Sequence, residues 1–347
     1  MELAKIDRDF SDGVRAVGFI CSLMVVAIHC WSPKTWFAGM DSCGAFEAGI
    51  RFLLSCSFSR MAVPMFFLIT GFFLANGMGG GGLKSYVSLL RKRFMTLYVP
   101  FVLWNLINVM MYMGMGGKYD CVWGNWSVLC AKVFGYDPYM RLGCMQFWYL
   151  QSVILFVLLS PFAAFAMRRR WTRMFLFGGL ICGMMWNHFH YLPLPLAISN
   201  YFWMCVGMRL ERWNGEGRRI LWVSFFVIFV GTLALRVYGG VSCNLSLYDF
   251  ADWLIVPSGI AVVWLNLRKI GMWVEGVGDD LFTLSFWIYA CHTMFITIAI
   301  FLFDECVSGS GLYFCKLLVA ICGAIASGIF LRRFCPKTFL LLTGGRG

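Results

Sequence analysis

Charge is scarce in this chain of 347 residues. Only 13% of its residues are Asp, Glu, Lys or Arg, against about 25% in a soluble domain. That is too little polar surface to coat a water-soluble globule. The apolar residues, 60% of the total, collect in long runs, which places the chain in lipid. Histidine is rarer still, with 4 residues. The 15 cysteines are odd in number and include no C-x-x-C pair, which argues against zinc and against a disulfide framework. Most read as small apolar helix residues. Cys43, Cys56, Cys121, Cys130, Cys144 and Cys243 fall on the expected outer side, where one or two bridges stay open. No metal site is expected. The glycine tract 79–82 is not followed by the G-K-[ST] of a phosphate loop and reads as a flexible inner linker. No nucleic-acid module, internal repeat or soluble domain is evident.

What is present is a series of ten apolar runs, at roughly 14–31, 61–78, 95–116, 147–167, 174–190, 192–209, 219–238, 250–267, 281–303 and 312–331. A membrane-crossing helix needs about 20 such residues. The pattern therefore predicts an all-α integral membrane protein, a bundle of about ten transmembrane helices forming one domain over 1–347. The fifth and sixth runs are the least distinct, because His188 to Pro195 separates them and the sixth is short. The first run follows the charged start Lys5-Ile6-Asp7-Arg8-Asp9 without a small-residue cleavage site, so it reads as a retained signal anchor. The net charge of +12 comes from basic residues in short loops. With the N-terminus inside, 21 of the 29 Lys and Arg lie on the inner side and 8 on the outer. The positive-inside rule then puts both termini in the cytoplasm. The outer connection 117–146 carries Tyr119, Trp123, Trp126, Tyr136 and Tyr139. These aromatics suit an interfacial belt or a platform for a sugar ring.

An ionisable group inside a bilayer is costly, and each one is a functional candidate. His29 lies near the outer end of the first run. Arg15, 14 residues earlier, projects within about 40° of it and about 21 Å away along the axis. A neutral histidine in an apolar site suits a general base for a hydroxyl; the plainer reading is an interfacial histidine with a satisfied hydrogen bond. Arg60 opens the second run at the level of His29 and suits oxyanion stabilisation or a snorkelling anchor. His292 sits midway along the ninth run, with Tyr289 and Ser285 on its helical face. That stripe suits a site or a polar packing seam. Arg91, Lys92 and Arg93 end an inner loop, where they set topology or hold phosphates of a nucleotide-bearing donor.

At these residues the chain resembles the acyltransferase-3 family. Val25-Val26-Ala27-Ile28-His29 is similar to the family's first-helix V-V-x-x-H. Arg60-Met61-Ala62-Val63-Pro64-Met65-Phe66-Phe67-Leu68-Ile69-Thr70-Gly71-Phe72 resembles its R-x-A-V-P-x-F-F-x-x-S-G-F. Arg91 to Asn105 resembles K-x-R-x-x-x-L-x-x-P-x-x-x-W-N, and Ser285 to His292 resembles S-F-x-I-Y-x-x-H. Phe147-Trp148-Tyr149-Leu150 through Ser160-Pro161 adds a weaker fifth segment.

The resemblance implies a ten-helix enzyme of the bacterial cytoplasmic membrane. Such an enzyme moves an acyl group, usually acetyl, from cytoplasmic acyl-CoA to a hydroxyl of an envelope glycan or glycolipid. Acyl-CoA is then a co-substrate, no cofactor is permanently bound, and a homo-oligomer is left open. The resemblance gives the catalytic role to His29, and Arg60 and His292 are expected as catalytic residues that stabilise charge or position the acyl group. Arg15, Arg91, Lys92 and Arg93 would meet the CoA phosphates, and Trp148, Tyr149, Gln151, Tyr289 and Ser285 would bind substrate. Two positions depart from the pattern. The family's basic residue near the histidine falls on Gly18, and the arginine of its W-F-L-R-D-L falls on Gln151. These departures suit an alternative, a catalytically degenerate relative that binds or carries a lipid or small solute.

Overall fold

The computed structural model describes residues 6–39, 43–78, 83–114, 125–137, 142–189, 192–210, 218–276, 279–303, 306–307 and 310–346. The glycine tract 79–82, Lys5, Tyr119, Cys121, Trp123 and Tyr139 lie outside the described residues. Among the described residues the chain is helical throughout, with no strand. The principal helices are α1 (Arg8–Cys30), α2 (Ala62–Gly77), α3 (Leu83–Arg93), α4 (Val99–Gly114), α5 (Trp126–Phe134), α6 (Trp148–Arg168) and α7 (Arg170–Phe189). They continue as α8 (Ile198–Leu210), α9 (Arg218–Val241), α10 (Leu245–Leu265), α11 (Leu267–Trp273), α12 (Ser285–Phe303), α13 (Ser310–Phe334) and α14 (Pro336–Thr343).

Eight helical stretches among the described residues are long and apolar enough to cross a membrane; they contain α1, α2, α3 with α4, α6, α9, α10, α12 and α13. The remaining two of the ten expected runs correspond to α7 and α8. The 13 residues of α8 span only about 20 Å at 1.5 Å per residue, short of a hydrocarbon core about 30 Å thick. Of the six outer cysteines, Cys56, Cys130 and Cys243 are free thiols.

The helices form two units, one of Lys5–Phe66 with Asn214–Phe334 and the other of Phe67–Trp213 with Cys335–Gly347, apart from the first four residues. In the first unit α1 is the central element and packs on α11, α12 and α13. It starts where the Asp7 carboxylate accepts the Phe10 N–H at 2.9 Å, with Asp9 in the positive first turn. Its crossing with α11 is a backbone contact. A Cβ on Gly13 would lie 1.9 Å from the Leu267 carbonyl oxygen, and one on Gly271 would lie 1.8 Å from that of Asp9. Only glycine on both sides permits this approach. Small residues likewise face α12 from α13, where a Cβ on Gly323 would lie 2.5 Å from the Phe295 ring and one on Gly328 2.8 Å from that of Trp287, as expected where helices associate by packing rather than by expelling water.

The second unit explains several motif residues structurally. Gly71 of α2 and Gly207 of α8 sit against each other's helix backbones, because a Cβ on either would fall 2.0 Å from a carbonyl oxygen of Met204 or Leu68. Trp104 Nε1 donates to the Leu342 carbonyl at 3.0 Å and ties α14 to α4. Asn105 donates to Phe101 O at 2.9 Å, and its Oδ1 accepts the Cys144 N–H at 2.7 Å, which holds the turn leading into α6. The W-N of the third motif is therefore a pair of structural hydrogen bonds.

Candidate active site

α1 and α12 run parallel and in register. Ser22 Oγ donates to the Ser285 carbonyl at 2.9 Å and lies 2.8 Å from Ser285 Oγ. Seven residues further along each helix, about 10.5 Å at 1.5 Å per residue, His29 meets His292 with ring centroids 5.1 Å apart and planes tilted by 40°. The sequence gap is seven on both helices, so one seam carries both contacts. Tyr289 joins it, with its ring 6.4 Å from that of His292. The seam thus brings together four of the expected site residues: His29, His292, Ser285 and Tyr289. A Cβ on Gly18 would also face it, 3.6 Å from Ser285 Oγ.

The two histidines differ in environment. His292 is fully buried. Its Nδ1 lies 2.8 Å from the Tyr289 carbonyl and 3.2 Å from that of Ile288. Carbonyls only accept, so Nδ1 carries the proton and the neutral ring keeps its lone pair on Nε2. That Nε2 is buried with no partner among the described residues. His29, in the last turn of α1, is partly exposed. A partly exposed imidazole beside a buried one, in an apolar helix seam, can take and return a proton.

Arg60 belongs to a different cluster in the same unit. Its Nε and Nη2 grip the Asp252 carboxylate at 3.0 and 2.7 Å. Arg236 reaches the same carboxylate at 2.9 Å. It also donates from Nε to the Cys56 carbonyl and from Nη1 to that of Tyr248, each at 2.9 Å, and its guanidinium lies 3.9 Å from the Tyr248 ring centroid. Cys56 sits in the π-turn Phe52–Ser57, a widened turn that disrupts the normal helical bonding. Asp252 and Arg236 escape a reading of the sequence because each sits near a run's end, where a charge normally faces headgroups or water. The signal was opposite charges on consecutive runs. Arg51 is buried as well; it pairs with Glu47, and its guanidinium lies 5.8 Å from the Trp31 ring centroid and 5.5 Å from that of Tyr313. Arg15 pairs with Asp12.

The other expected site residues lie in the second unit. Arg91 and Lys92 are exposed at the end of α3, and Arg93 is partly buried. Tyr149 packs on Phe67 with centroids 4.7 Å apart and shares a 3.0 Å hydrogen bond with Thr70; Trp148 lies 6.2 Å from Phe67. Gln151 donates to the Gly135 carbonyl at 2.7 Å. Arg346, past α14, comes near Arg93 and Tyr149. Burial pushes its guanidinium down to about 10, with Tyr149 opposing the shift and Arg93 adding to it, so it is charged at neutral pH. Of the outer aromatics, Trp126 and Tyr136 are exposed.

The fold and the paired-histidine seam define a polytopic helical membrane protein with a candidate proton-transfer centre. The family model described as an acyltransferase domain, acyltransferase-3, matches residues 9–332. The chain belongs to this family and is an acyltransferase that transfers groups other than aminoacyl. Among curated proteins it is similar to the succinoglycan biosynthesis protein ExoH of Rhizobium meliloti (strain 1021), with 23% identity over 372 aligned positions covering 98% of this chain and 94% of that protein. No solved structure matches the chain.

Proposed function

We propose that this enzyme transfers an acetyl group from acetyl-CoA to a hydroxyl of an envelope glycan or glycolipid in the bacterial cytoplasmic membrane. The carrying observation is the partly exposed His29 set against the buried His292. His29 takes the acceptor hydroxyl's proton as the oxygen attacks the thioester carbonyl. The C–S bond breaks, and the proton returns from imidazolium to the CoA thiolate. Asp252 occupies Nε and Nη2 of Arg60, which leaves Nη1 to steady the charge developing on the carbonyl oxygen.

The basic residues Arg91, Lys92 and Arg93 meet the CoA phosphates. Trp148, Tyr149 and Gln151 line the acyl or acceptor path, and Tyr289 and Ser285 shape the seam. A glycan acceptor is supported by the relative's name, which assigns it to succinoglycan biosynthesis. In this reading α7 crosses the membrane, and so does the segment 192–210, in which the turn Leu194–Leu196 extends the short α8, giving ten crossings with both termini cytoplasmic, in line with the Lys and Arg asymmetry.

A second reading is a degenerate relative that binds a lipid or small solute. It is favoured by Gly18 and by Gln151, whose amide is committed to the Gly135 carbonyl. The two readings separate in one assay, the incorporation of label from radioactive acetyl-CoA into the polysaccharide of membranes carrying the protein. Transfer by the wild type and its loss in a folded His29→Ala variant support the enzyme reading. Full transfer by that variant removes His29 from the chemistry.

A further inference from the structure

One unmet need lies in the α1–α12 seam, and a ring able to meet it stands opposite. Nε2 of His292 is a buried acceptor with no donor among the described residues, and a buried polar group left without a partner destabilises the fold. Its ring cannot turn to relieve this, because Nδ1 is held by the Tyr289 and Ile288 carbonyls. A ring with an N–H to offer, that of His29, lies 5.1 Å away between centroids. An N–H···N bond of about 3 Å between the edges of two imidazoles puts their centroids at about this separation, so turning the His29 ring about its side-chain bonds, without moving either helix, brings an N–H onto the unpaired Nε2.

We propose that His292 is a positioning residue whose Nε2 accepts the ring N–H of His29, so that His29 presents its other, unprotonated nitrogen to the acceptor hydroxyl. The proposal rests on the reading of His29 as general base. A base is effective only when its lone pair points at the proton it removes, and a third group that fixes the tautomer is the usual device. Here that group is a neutral imidazole, whose own tautomer is fixed by backbone carbonyls. After proton transfer His29 carries N–H groups on both sides. One stays on His292 and the other faces the leaving thiolate, so the proton has one exit.

The test uses the full-length protein in lipid nanodiscs with ring-labelled ¹⁵N histidine. The chain has only 4 histidines, so signals are assigned by single substitutions. The expected result is one His29 tautomer, with a nitrogen–nitrogen coupling across the bond to His292. His292→Leu should turn His29 into a tautomer mixture and lower the turnover of label transfer from acetyl-CoA roughly tenfold or more, with KM for acetyl-CoA unchanged. His292→Gln, which keeps an acceptor oxygen, should restore much of both. A His29 tautomer mixture and no coupling in the wild type overturn the proposal, and this measurement needs no variant to fold. Unchanged turnover in His292→Leu also overturns it. If His29→Ala is inactive while His292→Leu is not, only the positioning role falls. If His29→Ala stays active, the base reading falls and takes this proposal with it.

Discussion

Ser22 and Ser285 are joined by hydrogen bonds of 2.8 and 2.9 Å, and each lies seven residues before a histidine of the pair His29–His292. The serine contact sets the register that aligns the two imidazoles. A one-residue slip of either helix would rotate its histidine about 100° away from the seam.

The first expectation concerns that register. Ser22→Val removes the donor while nearly keeping the volume. A hydrogen bond between membrane helices is worth about 0.6 kcal/mol on average, so unfolding in detergent should shift only slightly. Label transfer from acetyl-CoA should fall much further than that stability loss accounts for, because the histidines lose alignment. Equal, small effects on both would show that the serines do no more than pack.

The second concerns the Asp252 cluster. Arg236 is 3% exposed whereas Arg60 is 48% exposed. Removing Arg236 leaves the Cys56 and Tyr248 carbonyls without their donor and costs about 3–5 kcal/mol, as for a broken buried ion pair, whereas removing Arg60 leaves Asp252 still paired with Arg236. Thermal unfolding should therefore place Arg236→Ala far below the wild type and Arg60→Ala near it. If Arg60 also steadies the oxyanion, Arg60→Ala should lose transfer activity while keeping its melting temperature.

The third concerns backbone approach. Gly13→Leu or Gly271→Leu must drive α1 from α11, because even a Cβ falls within 2 Å of a carbonyl oxygen. Loss of monodisperse protein on size-exclusion chromatography is the expected result. Gly18→Ala should leave yield and melting temperature almost unchanged, since its Cβ meets Ser285 Oγ at an ordinary 3.6 Å.

The fourth concerns the donor. Calorimetry with acetyl-CoA should show saturable binding to the wild type and none to a variant with Arg91, Lys92 and Arg93 all changed to Ala. Arg346→Ala should weaken binding if its guanidinium, near Arg93 and Tyr149, shares the phosphates. Undiminished binding in the triple variant would move the CoA site elsewhere.

The helical, membrane-embedded character of the chain was legible in its residues, because runs of apolar residues admit few other outcomes in water or lipid. So was the family, through the ordered motifs from His29 to His292. The individual importance of His29 and His292 was legible too, since an imidazole in an apolar run stands out. Their pairing was not, because 263 residues separate them and only the packing of α1 on α12 brings them together. Linear order likewise hid the partner of Arg60. Asp252 reads as a run-end charge until α9 and α10 fold beside the π-turn at Phe52–Ser57 and place two guanidiniums on one carboxylate. Local sequence determined which segments are apolar enough to be helices, because that depends on each segment's own side chains. Tertiary structure alone decided which polar groups meet, because in an apolar medium a buried donor or acceptor is stable only where another element supplies its partner.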